Sequence, residues 1–497
     1  MAGLESMSTV FCFLFFSFTA LFSLFSLLVF ILRLRPWCNC HVCRSFLTST
    51  WTKDFDNFCD WYTHLLRKSP TGTIHLHVLG NIVTSNPENV EHILKTRFDN
   101  YPKGKPFTVI LGDLLGRGIF NVDGDTWRFQ RKMASLELGS VSVRSHALEV
   151  VAAEIHSRLI PLLASVSGKE SNGGVLDLQD VFRRFSFDNI CKFSFGLDPG
   201  CLEPSLPASK FADAFDMASK LSAERAMTSS PMLWKIKRFF NAGSEKQLKE
   251  AVTMIDDLAK EMIQQRREMG YGSKKDLLSR FMATVDDDQY LRDIVVSFLL
   301  AGRDTISSGL TSLFYLLSQH PEVTQAVREE SDRVMGRAGA TPSFEQMREM
   351  HYLHAVLYET MRLFPPVQFD SKFCQEDDVL PDGTLVKSGT RVTYHPYAMG
   401  RMESIWGPDC LDFKPERWLK NGVYSPESSY RYPVFQAGER VCLGKELALV
   451  EMKCVAVALI RRFDFQVSQP GQAPRFAPGL TATVRGGLPV RVEEREG

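Results

Sequence analysis

One stretch near the C-terminus has a spacing suited to redox chemistry: Phe435-Gln436-Ala437-Gly438-Glu439-Arg440-Val441-Cys442-Leu443-Gly444. It reads F-x-x-G-x-R-x-C-x-G, and an apolar helical pattern starts at once, at Lys445-Glu446-Leu447-Ala448-Leu449. Two glycines let a loop bend tightly and come close to a flat ligand. Cys442 stands just ahead of the helix start, where aligned peptide dipoles favour a negative charge. Such a thiolate is a metal ligand, and on haem iron it feeds electron density that favours O–O cleavage. Arg440 supplies a cation for a haem propionate, and Phe435 opens the motif.

Three further groupings lie upstream. Ala301-Gly302-Arg303-Asp304-Thr305 interrupts an apolar helical run from Ile294 to Leu317. Glycine inside a helix costs about 1 kcal/mol relative to alanine, and a buried Asp-Thr pair is unfavourable unless it is satisfied. Local rules broken in this way mark a functional site. Glu359 and Arg362 stand at i and i+3 on one helical face, and Pro365-Pro366 ends that helix. Phe413-Lys414-Pro415-Glu416-Arg417-Trp418 follows. Finally, Trp127 and Arg131 lie one turn apart on one face of a helical segment.

In this order, these motifs identify the chain as similar to the cytochrome P-450 family of haem-thiolate monooxygenases. The resemblance covers nearly the whole chain. It implies a mainly α fold with small β-sheets, holding haem b on Cys442. It implies that Gly302 leaves room over the haem, that Thr305 donates a hydrogen bond where dioxygen binds, and that Asp304 helps deliver protons. Both relay residues are present, which argues against family members that isomerise peroxides without dioxygen. Trp127, Arg131, Arg440 and, by position, Lys372 are the implied propionate partners, with Phe435 in the haem loop. Glu359, Arg362 and Arg417 are implied to form a structural network supporting that loop. Glu439 stands where plant members often carry proline, and only tuning is expected from it. No flavin or nicotinamide fingerprint follows a strand-to-helix pattern. Electrons are therefore expected from NADPH through a separate NADPH-cytochrome reductase. The rival from another class is a non-catalytic membrane haem sensor.

The elements that must position these residues read as mostly helix. A short hairpin is expected over 73–85 around Gly80-Asn81, a helix opening at Asn86-Pro87, and short strands at 381–389 and from 473 onward. Polar loops are expected at 167–174, 199–207 and 269–275. Residues 7–32 contain no charged side chain, long enough for a membrane helix of about 20 residues. Arg33, Arg35 and Arg44 follow it, which places the remainder in the cytosol. The expected layout is a transmembrane anchor at 7–32, a juxtamembrane linker at 33–60 and a catalytic domain at 61–497, on the endoplasmic reticulum membrane. Zero formal net charge gives no case for nucleic acid. Eleven scattered cysteines do not form a secreted disulfide framework. Cys38, Cys40 and Cys43 cluster tightly. Metal binding and palmitoylation are functional readings, but a zinc site usually pairs two clusters and no second half follows, so they are expected to be interfacial thiols without a role.

Closer resemblance bears on the substrate. Lys103-Gly104-Lys105-Pro106-Phe107, the run 111–121, Val367-Gln368-Phe369-Asp370-Ser371-Lys372 and 475–481 look like plant fatty-acid omega-hydroxylases. Within that group the likeness is greatest to the branch that oxidises jasmonoyl-isoleucine at its terminal carbon. Either substrate is an apolar chain with a carboxylate, which suits an apolar pocket with a few polar anchors. Phe107, Ile110, Leu114, Phe120, Val295, Phe298, Leu299, Val367, Phe369 and Leu480 are candidate lining. Arg117 is either a carboxylate partner or an exposed loop residue.

Overall fold

Apolar residues recurring every three to four positions turn most of this chain into helix, and sheets appear only where β-branched runs alternate. The computed structural model describes residues 15–27, 38 and 40–495, apart from 140, 168–174, 204, 207–209, 229–230, 271–275, 337–340 and 469–470. The helices used below are α1 (His41–Leu47), α2 (Phe58–Lys68), α3 (Gly104–Leu115), α4 (Gly124–Leu138), α5 (Leu178–Phe195), α6 (Lys210–Met227), α7 (Ser244–Glu268), α8 (Asp288–Leu299), α9 (Thr305–Gln319), α10 (His351–Leu363) and α11 (Lys445–Arg462).

Helices α8 and α9 form one continuous rod joined by a π-helical turn, Leu300–Asp304. Asp287 caps its start, its carboxylate accepting from the Tyr290 N–H at 3.1 Å. The rod is mostly apolar and its buried charged side chains are paired, and it lies against α5 on one side and α10 and α11 on another. Two apolar cores meet along it. Leu300 belongs to the one built with α3, α6 and α7; Ile306 belongs to the larger one built with α10, α11 and the main sheet.

That sheet comprises β1 (Thr73–Leu76), β2 (Asn81–Thr84), β4 (Asp370–Phe373) and β5 (Arg391–Tyr394), in the order β1-β2-β5-β4. β2 and β5 run parallel, Asn81 facing Arg391, while β4 and β5 run antiparallel, Ser371 facing Thr393. The expected hairpin is present. Its turn begins earlier, as a 3₁₀ turn His77–Leu79 closed by Gly80 in the left-handed region (φ 56°). A second sheet orders β6 (Phe463–Val467), β9 (Pro489–Glu494) and β3 (Val175–Asp177); β7 (Phe476–Ala477) and β8 (Thr483–Val484) pair beside it, their connection carrying Leu480 and Thr481.

The described residues bear on two expectations about organisation. The stretch 33–60 is not a free linker over its described part. Helix α1 and the start of α2 dock on the larger core, with Cys43 and Cys59 buried, because their apolar faces find the β1–β2 hairpin. Of the expected anchor, residues 15–27 are helical with Phe15, Phe16, Phe18, Leu21, Phe22, Leu24, Phe25 and Leu27 exposed; its remaining residues lie outside the described set. Among the described residues no helix is long and apolar enough to cross a membrane. The loops expected at 167–174, 199–207 and 269–275 also lie partly outside the described residues.

Candidate active site

The cysteine loop is shaped by its backbone. Gln436 and Gly438 both take positive φ (62° and 61°), and a side chain at Gly438 would collide with the Leu94 carbonyl. The Cys442 N–H donates to the Phe435 carbonyl at 2.8 Å, closing the loop. The Cys442 thiol is solvent-accessible although set deep in the fold, so it opens into an interior cleft. Burial pushes this thiol above its ordinary value; the Gly444 and Lys445 N–H groups and the Arg131 and Lys445 charges oppose that rise and favour thiolate.

Around this loop the predicted cations converge. Arg131 donates to the Val441 carbonyl at 2.8 Å. Arg440 lies 4.5 Å from the Trp127 ring and donates to Asp123 at 2.6 Å and to the Val122 carbonyl at 3.0 Å, while its buried Nε has no partner among the described residues. Lys372 is almost wholly buried and donates to Asp370 at 3.0 Å. Lys103, which sequence reasoning did not assign, bonds the other oxygen of Asp370 at 2.5 Å, and Tyr394 donates to Asp370 at 2.8 Å. The two lysines hold the Asp370 carboxyl far below the usual range despite its burial, and burial drives the Lys372 ammonium well below its own. Asp370 opposes that fall, and one hydrogen bond to it leaves the Lys372 nitrogen with further N–H donors. Four basic side chains (Arg131, Arg440, Lys103, Lys372) face the carboxylates of Asp123 and Asp370, with the exposed Glu439 also acting on Arg131. This excess of basic groups and the orphaned Arg440 Nε suit a ligand carrying carboxylates beside the cysteine, as haem b does.

The oxygen side of the cleft comes from the long rod. Every residue from 290 to 314 is buried except Ala301, Gly302 and Thr305, a face of i, i+1 and i+4 positions. The π-turn makes this possible, since such bulges re-aim side chains and often sit at functional sites. Thr305 donates to the Ala301 carbonyl at 2.5 Å. Asp304 turns the other way. Its carboxylate accepts from Arg303 at 2.8 Å and from the Thr481 hydroxyl at 3.5 Å, and Arg303 also donates to Asp216 at 2.9 Å. Burial raises the Asp304 carboxyl against the pull of Arg303. Gly302 lies on this open face and is also needed for packing. A side chain there would collide with Ile190 Cδ1, so the glycine lets α5 approach the π-turn. Helix α11 packs on α9 with Met452 against Gly309, and Leu443 packs on the core that holds Leu300. These contacts bring the thiolate loop and the open face of the rod to one region.

Behind the loop, Glu359 and Arg362 form a fully buried fork–fork pair at 2.7 and 2.8 Å. Glu359 also accepts from the Arg417 Nε at 3.4 Å, the Trp418 indole at 2.9 Å and the Lys414 N–H at 2.9 Å. Arg362 reaches the Cys410 and Asp412 carbonyls. Trp418 packs on Tyr432, whose hydroxyl donates to the Tyr358 carbonyl, so the network reaches the residues leading into Phe435.

The candidate lining divides. Phe107, Ile110 and Leu480 are partly buried against the core of α6–α8. Phe120 is exposed, Phe298 nearly buried, and Val367 and Phe369 half-buried. Val295, Leu299 and Leu114 are inaccessible and belong to packing, because they face neighbouring helices instead of the cleft. Arg117 pairs with Asp287 at the surface, so it takes the exposed-loop role. Arg391 was not anticipated. Its Nε donates to Ser371 at 3.0 Å and Nη1 to the Ala226 carbonyl at 2.8 Å, and no carboxylate pairs with it among the described residues. Sequence offered no signal for it, since strand pairing and the end of α6 bring its partners together.

A thiolate loop, a surplus of cations beside it and a buried rod opened at one face define a haem-binding oxidase. Comparisons with known proteins agree. A family model for cytochrome P450 matches residues 46–488. The chain is 64% identical over 487 residues to cytochrome P450 94C1 of Arabidopsis thaliana, covering 97% of this chain and 98% of that protein. It is 46% identical to cytochrome P450 94B1 of the same plant, covering 90% and 89%, and 44% identical to cytochrome P450 94A1 of Vicia sativa, covering 89% and 88%. The chain belongs to the cytochrome P450 family. It is a haem-thiolate monooxygenase that draws electrons from NADPH through a separate reductase and acts on lipophilic molecules, which sets aside the non-catalytic sensor.

Proposed function

We propose that this enzyme oxidises the terminal (omega, C12) carbon of jasmonoyl-isoleucine and of its 12-hydroxy form, ending at the 12-carboxy product and inactivating the hormone. The observation that carries the reading is the opening of the rod's buried stretch 290–314 at Ala301, Gly302 and Thr305 alone. So narrow a face meets one end of an extended apolar chain, with Phe107, Ile110 and Leu480 packed nearby. Fatty-acid omega-hydroxylation is the second reading, favoured by the same apolar surroundings.

Haem b, held by Cys442 with Arg131 and Arg440 at its propionates, supplies oxygen activation when bound. Thr305 keeps its hydroxyl anchored on the Ala301 carbonyl, which leaves its lone pairs to accept from a molecule in the cleft. Asp304 is the proton carrier, held in place by Arg303, which also pairs with the half-exposed Asp216. Glu359, Arg362 and Arg417 hold the loop in register. Arg391, without a carboxylate partner, holds the acid end of the substrate. Residues 7–32 anchor the chain in the endoplasmic reticulum membrane with the catalytic body in the cytosol beside its reductase.

Microsomes carrying the enzyme and a reductase, supplied with jasmonoyl-isoleucine, its 12-hydroxy form or a long-chain fatty acid, test this by mass detection of products. The 12-carboxy conjugate should accumulate from both conjugates. Oxidation confined to the fatty acid would select the second reading.

A further inference from the structure

The cysteine cluster at 38–43 lacked a second half in sequence, and the fold supplies it. Cys38 Sγ lies 3.4 Å from His77 Nδ1. His77 belongs to the turn between β1 and β2, and the ligand atoms of Cys38, Cys40, Cys43 and His77 all lie within 4.8 Å of one another. Around tetrahedral zinc, with Zn–S about 2.3 Å and Zn–N about 2.0 Å, ligand atoms sit roughly 3.5–3.8 Å apart. The four atoms therefore need close in by only about 1 Å to enclose an ion.

The local structure is arranged for the task. Cys40 caps α1, its Sγ accepting from the Cys43 N–H at 3.4 Å. The C-x-C-x-x-C spacing thereby turns three sulfurs to one side. Cys43 is wholly buried beneath the hairpin, Cys38 and Cys40 are part-buried, and His77 faces outward. No carboxylate joins the group, and thiolates with imidazole select zinc over calcium or magnesium. The three thiols give up their protons as the metal enters, and the closed four-ligand set leaves no position for a substrate, which makes the site structural.

We propose that Cys38, Cys40, Cys43 and His77 bind one zinc ion that clamps the segment entering the catalytic body to the β1–β2 hairpin. The site is remote in sequence from every residue assigned to haem or oxygen. Its role is to fix residues 38–47 on the main sheet, whose strands β4 and β5 carry Lys372, Asp370, Tyr394 and Arg391.

The test uses full-length enzyme, purified from zinc-supplemented cells without a polyhistidine tag, with zinc and haem iron measured on the same sample. About one zinc per haem iron is expected, and X-ray absorption at the zinc edge should show three sulfur ligands and one nitrogen. Zinc should fall to background in a Cys40→Ser/Cys43→Ser variant that keeps its haem. His77→Ala should weaken zinc retention on dialysis against EDTA and lower the melting temperature, leaving the carbon monoxide spectrum of the haem unchanged. If the double variant fails to hold haem, the wild-type absorption spectrum and His77→Ala decide. The proposal is overturned by negligible zinc in the wild-type enzyme, by zinc that survives loss of the cysteines, by a zinc spectrum lacking sulfur, or by hydroxylamine-labile acyl groups or disulfides on these thiols.

Discussion

A guanidinium on β5 with a serine and a backbone carbonyl for partners has capacity left for an acid. Hydrogen bonds to charged groups contribute about 1.5–3 kcal/mol. Arg391→Leu should therefore raise KM for jasmonoyl-isoleucine roughly 10- to 100-fold while kcat changes little, and the methyl ester of the conjugate should lose its disadvantage against the free acid. Equal loss for acid and ester would remove Arg391 from recognition. Thr305 and Asp304 are proposed to serve the chemistry instead. Asp304→Asn keeps a hydrogen-bonding group toward Arg303 and Thr481 but removes the proton carrier, so product formation should fall on the order of 100-fold while NADPH continues to be consumed. Product formation that stays matched to NADPH consumption in this variant would exclude Asp304 as the proton carrier. At this scale the sequence was most informative where spacing is local: Trp127 and Arg131 one helical turn apart, Glu359 and Arg362 one turn apart, Cys442 within its loop. Lys103, Asp123, Asp370 and Tyr394 escaped it because they meet through tertiary contact. Tyr394 faces Asp370 only through the β4–β5 register.

Elements explain two features that residue types alone do not show. Gly302, expected to leave space above a ligand, also lets α5 approach, since Ile190 would meet any side chain there. Gly302→Ala should destabilise the enzyme by about 1–3 kcal/mol, and Ile190→Ala in the same chain should restore much of the melting temperature. No rescue by the second change would place the strain elsewhere. Helix α11 carries the other feature. Glu451 is buried with one hydrogen-bond partner, Asn189 at 3.4 Å, and burial raises its carboxyl to about 8 from an ordinary value of 4.5. The folded protein keeps the proton while the unfolded chain releases it above its own lower value, so this contribution is complete below that value and is lost as pH rises toward 8. Melts at pH 6 and pH 8 should show a loss for wild type that Glu451→Gln reduces by about 2 kcal/mol. Equal losses in the two proteins would place the titration on another group. The π-turn at Leu300–Asp304 was legible only as a violation, a glycine and an Asp-Thr pair in an apolar run. Its re-aiming of Asp304 away from Thr305 depends on its neighbour Arg303 in the same turn and on Asp216 and Thr481, which come from two distant parts of the chain.

Across the whole molecule, two apolar cores meet at the π-turn, and the cleft lies where they part. Cys442 arrives there at the front of α11, the basic side chains proposed for the propionates come from α4, the cysteine loop and the main sheet, and the Glu359 network lies behind the loop. The stretch expected to be a linker is folded onto that same sheet, because Cys43, Cys59 and their neighbours complete its core. The order of motifs along the chain made this architecture readable, since each motif belongs to a different layer around one cleft. The course of 33–60 was not readable, because its anchor points on the hairpin lie far along the sequence. The account as a whole stands on oxygen being placed at one end of an extended substrate. Turnover of jasmonoyl-isoleucine under isotopically labelled dioxygen measures this directly, with fragmentation locating the label in the product. The label is predicted on the terminal carbon of the jasmonoyl chain, first in the alcohol and then in the carboxylate; label at an internal carbon, or product without label, would contradict it.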